Sequence, residues 1–321
     1  MNSKADRSQL LEHCITETMP PGHSADYRGK VRDIYYLDED RMAIVATDRI
    51  SAFDHIFNEP IPYKGQLLNK LAWHGFRNVE DLCTHHVIDV PHPNVTIARK
   101  CRPLPVEVVV RGYLTGHAWR VYKEGGRELC GQQMPDGLRQ HEAFPEPILT
   151  PTTKAREGHD EDISDAAILS GGLVDEPVWA AIRDTAMKLY RRGWEVAQKK
   201  GLILVDTKYE FGLFRDKLVL IDEVHTADSS RYFYTDGYGE RLKSGEPQKQ
   251  LSKEFLREWL IESGHHATLD QKLPVLPDDV RISIYERYRE LYETLTGETF
   301  RPVPTTDFDR DLAVLLDKLS K

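Results

Sequence analysis

Asp206, Lys208 and Glu210 occupy alternate positions in Val205-Asp206-Thr207-Lys208-Tyr209-Glu210, directly after the apolar run Leu202-Ile203-Leu204. Alternate side chains of an extended strand share a face, so two carboxylates and an ammonium would stand together where a buried run ends. A second apolar run, Leu218-Val219-Leu220-Ile221, ends in Asp222. A hairpin turning near Phe214 to Asp216 would set Asp222 opposite Lys208 and diagonal to Glu210, within side-chain reach. Uncompensated charges beside a core are costly, so such a cluster must be paired, hydrated or ligated. One solution is a cross-strand Lys208–Asp222 ion pair that leaves Glu210 in solvent. The other is a magnesium site, because this hard cation takes one or two protein carboxylates and completes its shell with water and phosphate oxygens, as in a magnesium nucleotide.

Cations recur where anions would have to be held. Tyr27-Arg28-Gly29-Lys30-Val31-Arg32-Asp33 sets a glycine among three cations at the mouth of a hairpin, where backbone can approach a phosphate and Lys30 and Arg32 share a strand face. It is neither G-x-x-x-x-G-K-[ST] nor G-x-G-x-x-G, and a turn glycine between solvated charges explains it equally. Arg111 ends an apolar strand before Gly112, and Asp228-Ser229-Ser230-Arg231 follows the acidic hairpin. Both suit bidentate anion clamps, and both are also compatible with an ordinary strand end and an Asx-turn. The loop from Pro151 to Asp162 mixes Lys154, His159 and Asp160 with hydroxyls, which suits a polar substrate and matches no zinc-ligand spacing. His85-His86 and His265-His266 read as surface pairs.

The elements that must position these groups form an α+β pattern. Val31–Leu37 and Met42–Ala46 read as a hairpin around Asp38-Glu39-Asp40, within a small antiparallel N-terminal lobe over residues 1–105. A helix near Leu67–Phe76 and strands at Val87–Val90 and Val106–Val110 follow, with Pro103 and Pro105 as a hinge into a larger lobe over residues 106–321. Residues 124–176 lack periodicity and read as a long functional loop. Pro177–Lys200 has helical spacing with Pro177 at the first turn and Gly201 at the C-cap, and further helices lie near Lys253–Glu262, Asp279–Leu295 and Phe308–Leu319.

With 321 residues, 40% hydrophobic and 30% charged, the chain is globular rather than disordered. Its net charge of -9 argues against nucleic-acid coating, so any phosphate is bound locally. Cys14, Cys83, Cys101 and Cys130 form no C-x-x-C pair and fit a reducing compartment. Nothing in the sequence approaches an apolar membrane span or a secretory h-region, so a cytoplasmic protein without membrane partners is expected.

Taken together the segments resemble the SAICAR synthetase family, the phosphoribosylaminoimidazole-succinocarboxamide synthases, from about Tyr27 to Arg231. The motifs that carry the likeness are Arg28-Gly29-Lys30-Val31-Arg32-Asp33, Ala46-Thr47-Asp48-Arg49-Ile50-Ser51-Ala52-Phe53-Asp54, Pro105–Tyr113, Thr150–Ala155, Gly158-His159-Asp160-Glu161, Asp206–Gly212 and Ile221-Asp222-Glu223 with Asp228–Arg231. The resemblance implies a small antiparallel β lobe over a larger α+β lobe, in a kinase- or ATP-grasp-like arrangement with C-terminal helices. It also implies ligation of L-aspartate to carboxyaminoimidazole ribotide, driven by ATP with Mg2+ through an acyl phosphate. Carried across by motif, Gly29, Lys30 and Arg32 look like the phosphate-covering loop, Lys100, Arg102 and Leu104 like the adenine side, and Glu210 and Asp222 like the magnesium ligands. Lys208, Asp206 and Arg231 look like the groups acting at the reacting centre. Arg111, His117, Lys154, His159, Asp160, Asp228, Ser230 and Arg231 look like the substrate pocket. One position departs: His117 stands where many relatives place a serine, so an imidazole would replace the hydroxyl expected near the ribotide phosphate.

Overall fold

Three strands that the sequence shows as separate apolar runs, Arg102–Tyr113, Leu202–Phe214 and Ser230–Tyr234, lie side by side and antiparallel. A computed structural model describes residues 10–12, 14–52, 55–154, 161–265 and 273–320. Among these, two larger antiparallel sheets and a set of helices make an α+β protein, and no helix is long and apolar enough to cross a membrane.

The chain divides into two compact units. One comprises Met1–Trp73, Val87–Lys100 and Ser252–Lys321; the other comprises His74–His86 and Cys101–Leu251. The C-terminal helices Asp278–Thr296 and Phe308–Leu319 thus go with the N-terminal sheet, where residues 106–321 were expected to form one lobe. The physical reason is a shared core: Phe308, Leu312 and Leu316 pack with Tyr35, Ala43, Val45, Val95 and Ile97. The first unit's five-stranded sheet includes the expected hairpin, Arg32–Tyr36 with Arg41–Ala46.

The second unit holds a six-stranded sheet in which Ala143–Thr153, Arg102–Tyr113, Leu202–Phe214 and Ser230–Tyr234 are successive neighbours and Lys217–Ile221 also pairs with Leu202–Phe214. One face packs on the helix Glu176–Gln198, which buries Trp179, Ile182, Ala186, Leu189 and Tyr190 and begins with Pro177 in its first turn. Two expectations fail here. Pro103 and Pro105 lie inside the strand Arg102–Tyr113 rather than in a hinge. Residues 124–176 are not one irregular loop, since they include the strand Ala143–Thr153 and the helix Asp165–Ser170. The strand is disguised by Pro145, Pro147 and Pro151, which are tolerated because it lies at the end of the sheet order, where one side needs no ladder donors. His85 and His86 are likewise no surface pair: both pack on the Phe76 ring, and His86 is buried.

Candidate functional site

The strand register of the second unit assembles the charged face. Asp206 stands opposite Arg111 on one side and opposite Arg231 on the other, and Glu210 stands opposite Glu107. Alternation then puts Glu107, Arg111, Asp206, Lys208, Glu210 and Arg231 on the face away from the Glu176–Gln198 helix. A β-bulge does part of this work. The Leu204–Tyr232 pair is followed by Asp206–Arg231, so the extra residue brings Arg231, rather than Ser230, across from Asp206. Ser230 pairs with Thr207, is buried, and donates its hydroxyl to Thr207 Oγ1 at 2.8 Å, so it does not join the charged face.

The acidic hairpin differs from expectation by one residue. Arg215 and Asp216, both at positive φ, form a tight two-residue turn between Phe214 and Lys217, so Glu210 pairs with Ile221 and Asp222 falls level with Tyr209. Strict alternation would send Asp222 to the helix side. Instead the strand ends at Ile221, Asp222 takes φ 65°, and its Oδ2 lies 3.6 Å from Lys208 Nζ.

Lys208 is the hub. Its ammonium contacts Glu210, lies 3.1 Å from Glu107 Oε1 and completes a fan of three carboxylates with Asp222. Lys154 contacts the other oxygen of Glu210. Glu210 is buried, which removes the arrangement that left it in solvent. Burial pushes the Glu210 carboxyl up, but the Lys208 and Lys154 charges outweigh it and hold the group well below the usual carboxylate range. For Lys208 burial acts to lower the pKa, and Glu210, Asp222 and Glu107 reverse it, holding the ammonium well above its ordinary value. Lys154 is raised in the same way, Glu210 overcoming burial.

One end of the face is an arginine clamp. Arg111 is buried, donates from Nε to Thr150 Oγ1 at 2.9 Å and reaches Asp206 Oδ2 at 3.4 Å, while Arg231 Nε lies 3.5 Å from Asp206 Oδ1. Gly116, at φ 56°, lies against the Arg231 guanidinium so closely that a Cβ there would be 2.1 Å from one of its nitrogens. His117 opens the helix Gly116–Lys123 and its Nε2 is 2.6 Å from Asp162 Oδ2. That hydrogen bond, against burial, lowers the Asp162 carboxyl. Asp228 is half-buried in the turn before Ser230, with its backbone N–H donating to Thr226 Oγ1. His159 and Asp160 lie outside the described residues.

In the first unit, the backbone of Gly29 and Arg32 closes a turn at 2.8 Å, and Arg49 donates to the carbonyls of Gly29 and Lys30 while pairing with buried Asp33 at 2.7 Å. Lys30 and Arg32 are therefore carried on a buttressed turn. The Lys100 ammonium sits 3.6 Å from the Tyr36 ring centroid. In the second unit Arg102 is exposed and Leu104 buried. Sequence reasoning missed Glu107, Asp162 and the role of Arg49. Only Glu107 had a signal: an acid within Val106–Val110, four residues before Arg111 and hence on its strand face.

The comparisons with known proteins agree with one another. The SAICAR synthetase family model matches residues 25–272. A phosphoribosylaminoimidazole-succinocarboxamide synthase from Cytophaga hutchinsonii is 51% identical over 300 residues, 93% of this chain and 96% of its own. Another from Bacteroides thetaiotaomicron is 52% identical over 281 residues, 87% of this chain and 90% of its own. The solved SAICAR-synthase from Saccharomyces cerevisiae complexed with SAICAR aligns with a TM-score of 0.76 at 36% identity, over 90% of this chain and 100% of that one. A SAICAR synthetase in complex with ADP gives 0.66 at 26% identity, over 86% of this chain and 99% of that one. By sequence and by fold, the chain belongs to the SAICAR synthetase family, ligases of purine biosynthesis.

Proposed function

We propose that the chain joins L-aspartate to carboxyaminoimidazole ribotide with ATP, releasing SAICAR, ADP and phosphate. The observation that carries this reading is the single sheet face on which an acidic, lysine-bridged cluster adjoins a pair of arginines. The relatives' names support it, as do the SAICAR and ADP held by two of the solved structures.

A carboxylate does not react with an amine near neutral pH. In the proposed route a carboxylate oxygen of the ribotide attacks the γ-phosphorus of ATP and the bond to the β-phosphate oxygen breaks, releasing ADP. The aspartate nitrogen then attacks the acyl carbon, the carbon–oxygen bond to phosphate breaks, and the amine loses its proton as the amide forms. No protein nucleophile is required, so the protein's share is positioning and charge neutralisation. Lys208 is assigned to the transferred phosphoryl group and the activated carboxylate. Arg111 and Arg231, held in place by Asp206, are assigned to the ribotide, with His117 as a donor to its phosphate and Lys154 beside the reacting carboxylate. Gly29, Lys30 and Arg32 are proposed as an anion-binding turn in their own right.

Glu210 and Asp222 fit a magnesium ion: their oxygens converge on one cation, the Lys208 ammonium, and an all-carboxylate donor set suits a hard metal. Bound there, magnesium would neutralise charge on the nucleotide phosphates. Four free cysteines fit a reducing compartment, and we place the reaction in the cytoplasm.

The test is ADP release from purified protein with ATP and magnesium. Release is expected only when ribotide and aspartate are both present, in step with SAICAR. Full release with ribotide alone, and no SAICAR, would make the protein a kinase and reject the reading.

A further inference from the structure

Glu107 and Glu210 stand directly opposite each other in neighbouring strands, an arrangement of like charges that ordinarily destabilises a sheet. Both are buried. What makes the pair tolerable is Lys208, whose ammonium lies 3.1 Å from Glu107 Oε1 while also contacting Glu210 and standing 3.6 Å from Asp222. The strand residue opposite Lys208 is Val109, which offers the ammonium nothing.

We infer that Glu107 is a positioning residue that keeps Lys208 in place when a metal-bound nucleotide takes Glu210 and Asp222. The inference rests on the assignment of those two carboxylates to magnesium. Once a divalent cation occupies them, the Lys208 ammonium loses both contacts and meets a neighbouring positive charge. Glu107 is the carboxylate within hydrogen-bond reach of Lys208 that the metal does not take, so the ammonium passes wholly to it and stays directed at the transferred phosphoryl group. Without Glu107, Lys208 would have to be retained by the metal's own ligands, and lysine and metal would compete.

The test measures manganese(II) binding to the ADP complex by electron paramagnetic resonance, with no turnover involved. Glu107→Gln is expected to weaken Mn2+ by about tenfold, and the same change made in a Lys208→Met chain by less than about twofold, because Glu107 acts through the lysine. An equal loss in both backgrounds would mean that Glu107 acts on the cation directly and would overturn the inference, as would no loss in the first. Should the Lys208→Met chain fail to give a cooperative melt, ADP affinity of Glu107→Gln alone decides. Unchanged or tighter binding without metal and weaker binding with it supports the inference; equal weakening under both conditions marks a structural role and rejects it. Asp222→Asn separates the two layers. If it leaves Mn2+ affinity intact, the metal assignment fails and takes this inference with it. If it weakens Mn2+ while Glu107→Gln does not, this inference alone fails.

Discussion

The strand Leu202–Phe214 is buried on both faces, and the faces handle burial in opposite ways. Away from the helix, Asp206, Lys208 and Glu210 keep their charges although Asp206 and Glu210 are only 5% and 7% exposed. Toward it, the polar groups are neutral and bonded to one another. Tyr209 Oη lies 2.6 Å from His225 Nε2, Tyr232 Oη donates to the His225 carbonyl at 2.9 Å, and Tyr190 Oη donates to the Leu204 carbonyl at 2.8 Å. Burial, reinforced by His74, pushes the His225 imidazole down to about 3 and so keeps it uncharged. Tyr209 is pushed well above the ordinary phenol range, also by burial. The difference is the presence of counter-ions. Where every charge has a partner of opposite sign, burial does not neutralise it, and the charges remain available for exchange with a ligand; where none has, the protein keeps neutral hydrogen bonds that no ligand can use.

The largest effect that would break this comparison is on catalysis. Glu210→Gln and Asp222→Asn each remove a charge while nearly conserving volume, so turnover is expected to fall about a thousandfold, roughly 4 kcal/mol in the barrier. The melting temperature should move by only a few degrees. Steady-state ADP release and thermal melts on the same samples check this. Turnover kept at saturating magnesium, or lost only in step with folding, would make the charged face structural.

The helix-side face should respond in the opposite sense. A Cβ at Gly112 would lie 1.9 Å from the Tyr190 hydroxyl, which is buried and committed to the Leu204 carbonyl. Gly112→Ala is expected to cost about 2–3 kcal/mol of stability in urea unfolding through overpacking and loss of that hydrogen bond. Activity per folded molecule should change by less than about threefold. A selective loss of activity would mean that the two faces are coupled through Arg111.

How much of this was legible in sequence follows from the range of the forces involved. The alternation Asp206, Lys208, Glu210 is a local property of an extended chain, and the structure bears it out. The register of Asp222 is not local. It depends on a two-residue turn of Arg215 and Asp216 at positive φ, without the Gly or Asn that would announce it, and an error of one residue exchanges the faces. The left-handed Asp222 backbone then restores the contact, so the right neighbours were expected for the wrong reason. Glu107 was overlooked because one acid in a run of valines has no meaning until a neighbouring strand supplies its lysine. The placement of the C-terminal helices was hidden for the same reason: Phe308 and Leu312 show that they need a partner, and only long-range packing says which. The prolines of Ala143–Thr153 acted through the local rule that proline breaks strands, which the end position in the sheet suspends.

The smallest effect gives the sharpest separation of the two faces, because acid reaches them at different pH. Burial holds the folded His225 imidazole at about 3, against an ordinary value of 6.5. Below about pH 6.5 the unfolded chain therefore binds a proton that the folded chain refuses. The stability from this group is complete above pH 6.5 and is lost as pH falls toward 3. Between pH 6.5 and 5.5 that loss is about 1 kcal/mol, since the unfolded imidazole is already half protonated at pH 6.5. Glu210 has a depressed carboxyl, so its contribution is intact above about pH 4.5 and declines only below it. Asp48, raised by burial to about 7, titrates with opposite sign in the first unit and cancels when wild type and variant are compared at one pH. His225→Gln removes the titration and keeps an acceptor for the Tyr209 hydroxyl. Its stability deficit, measured by urea unfolding, should accordingly shrink by about 1 kcal/mol from pH 6.5 to 5.5, whereas the Glu210→Gln deficit stays constant there and shrinks only below about pH 4.5. A Glu210→Gln deficit that changed in the upper window would show that the two faces share their charges, and the division between a neutral side and a compensated side would fall.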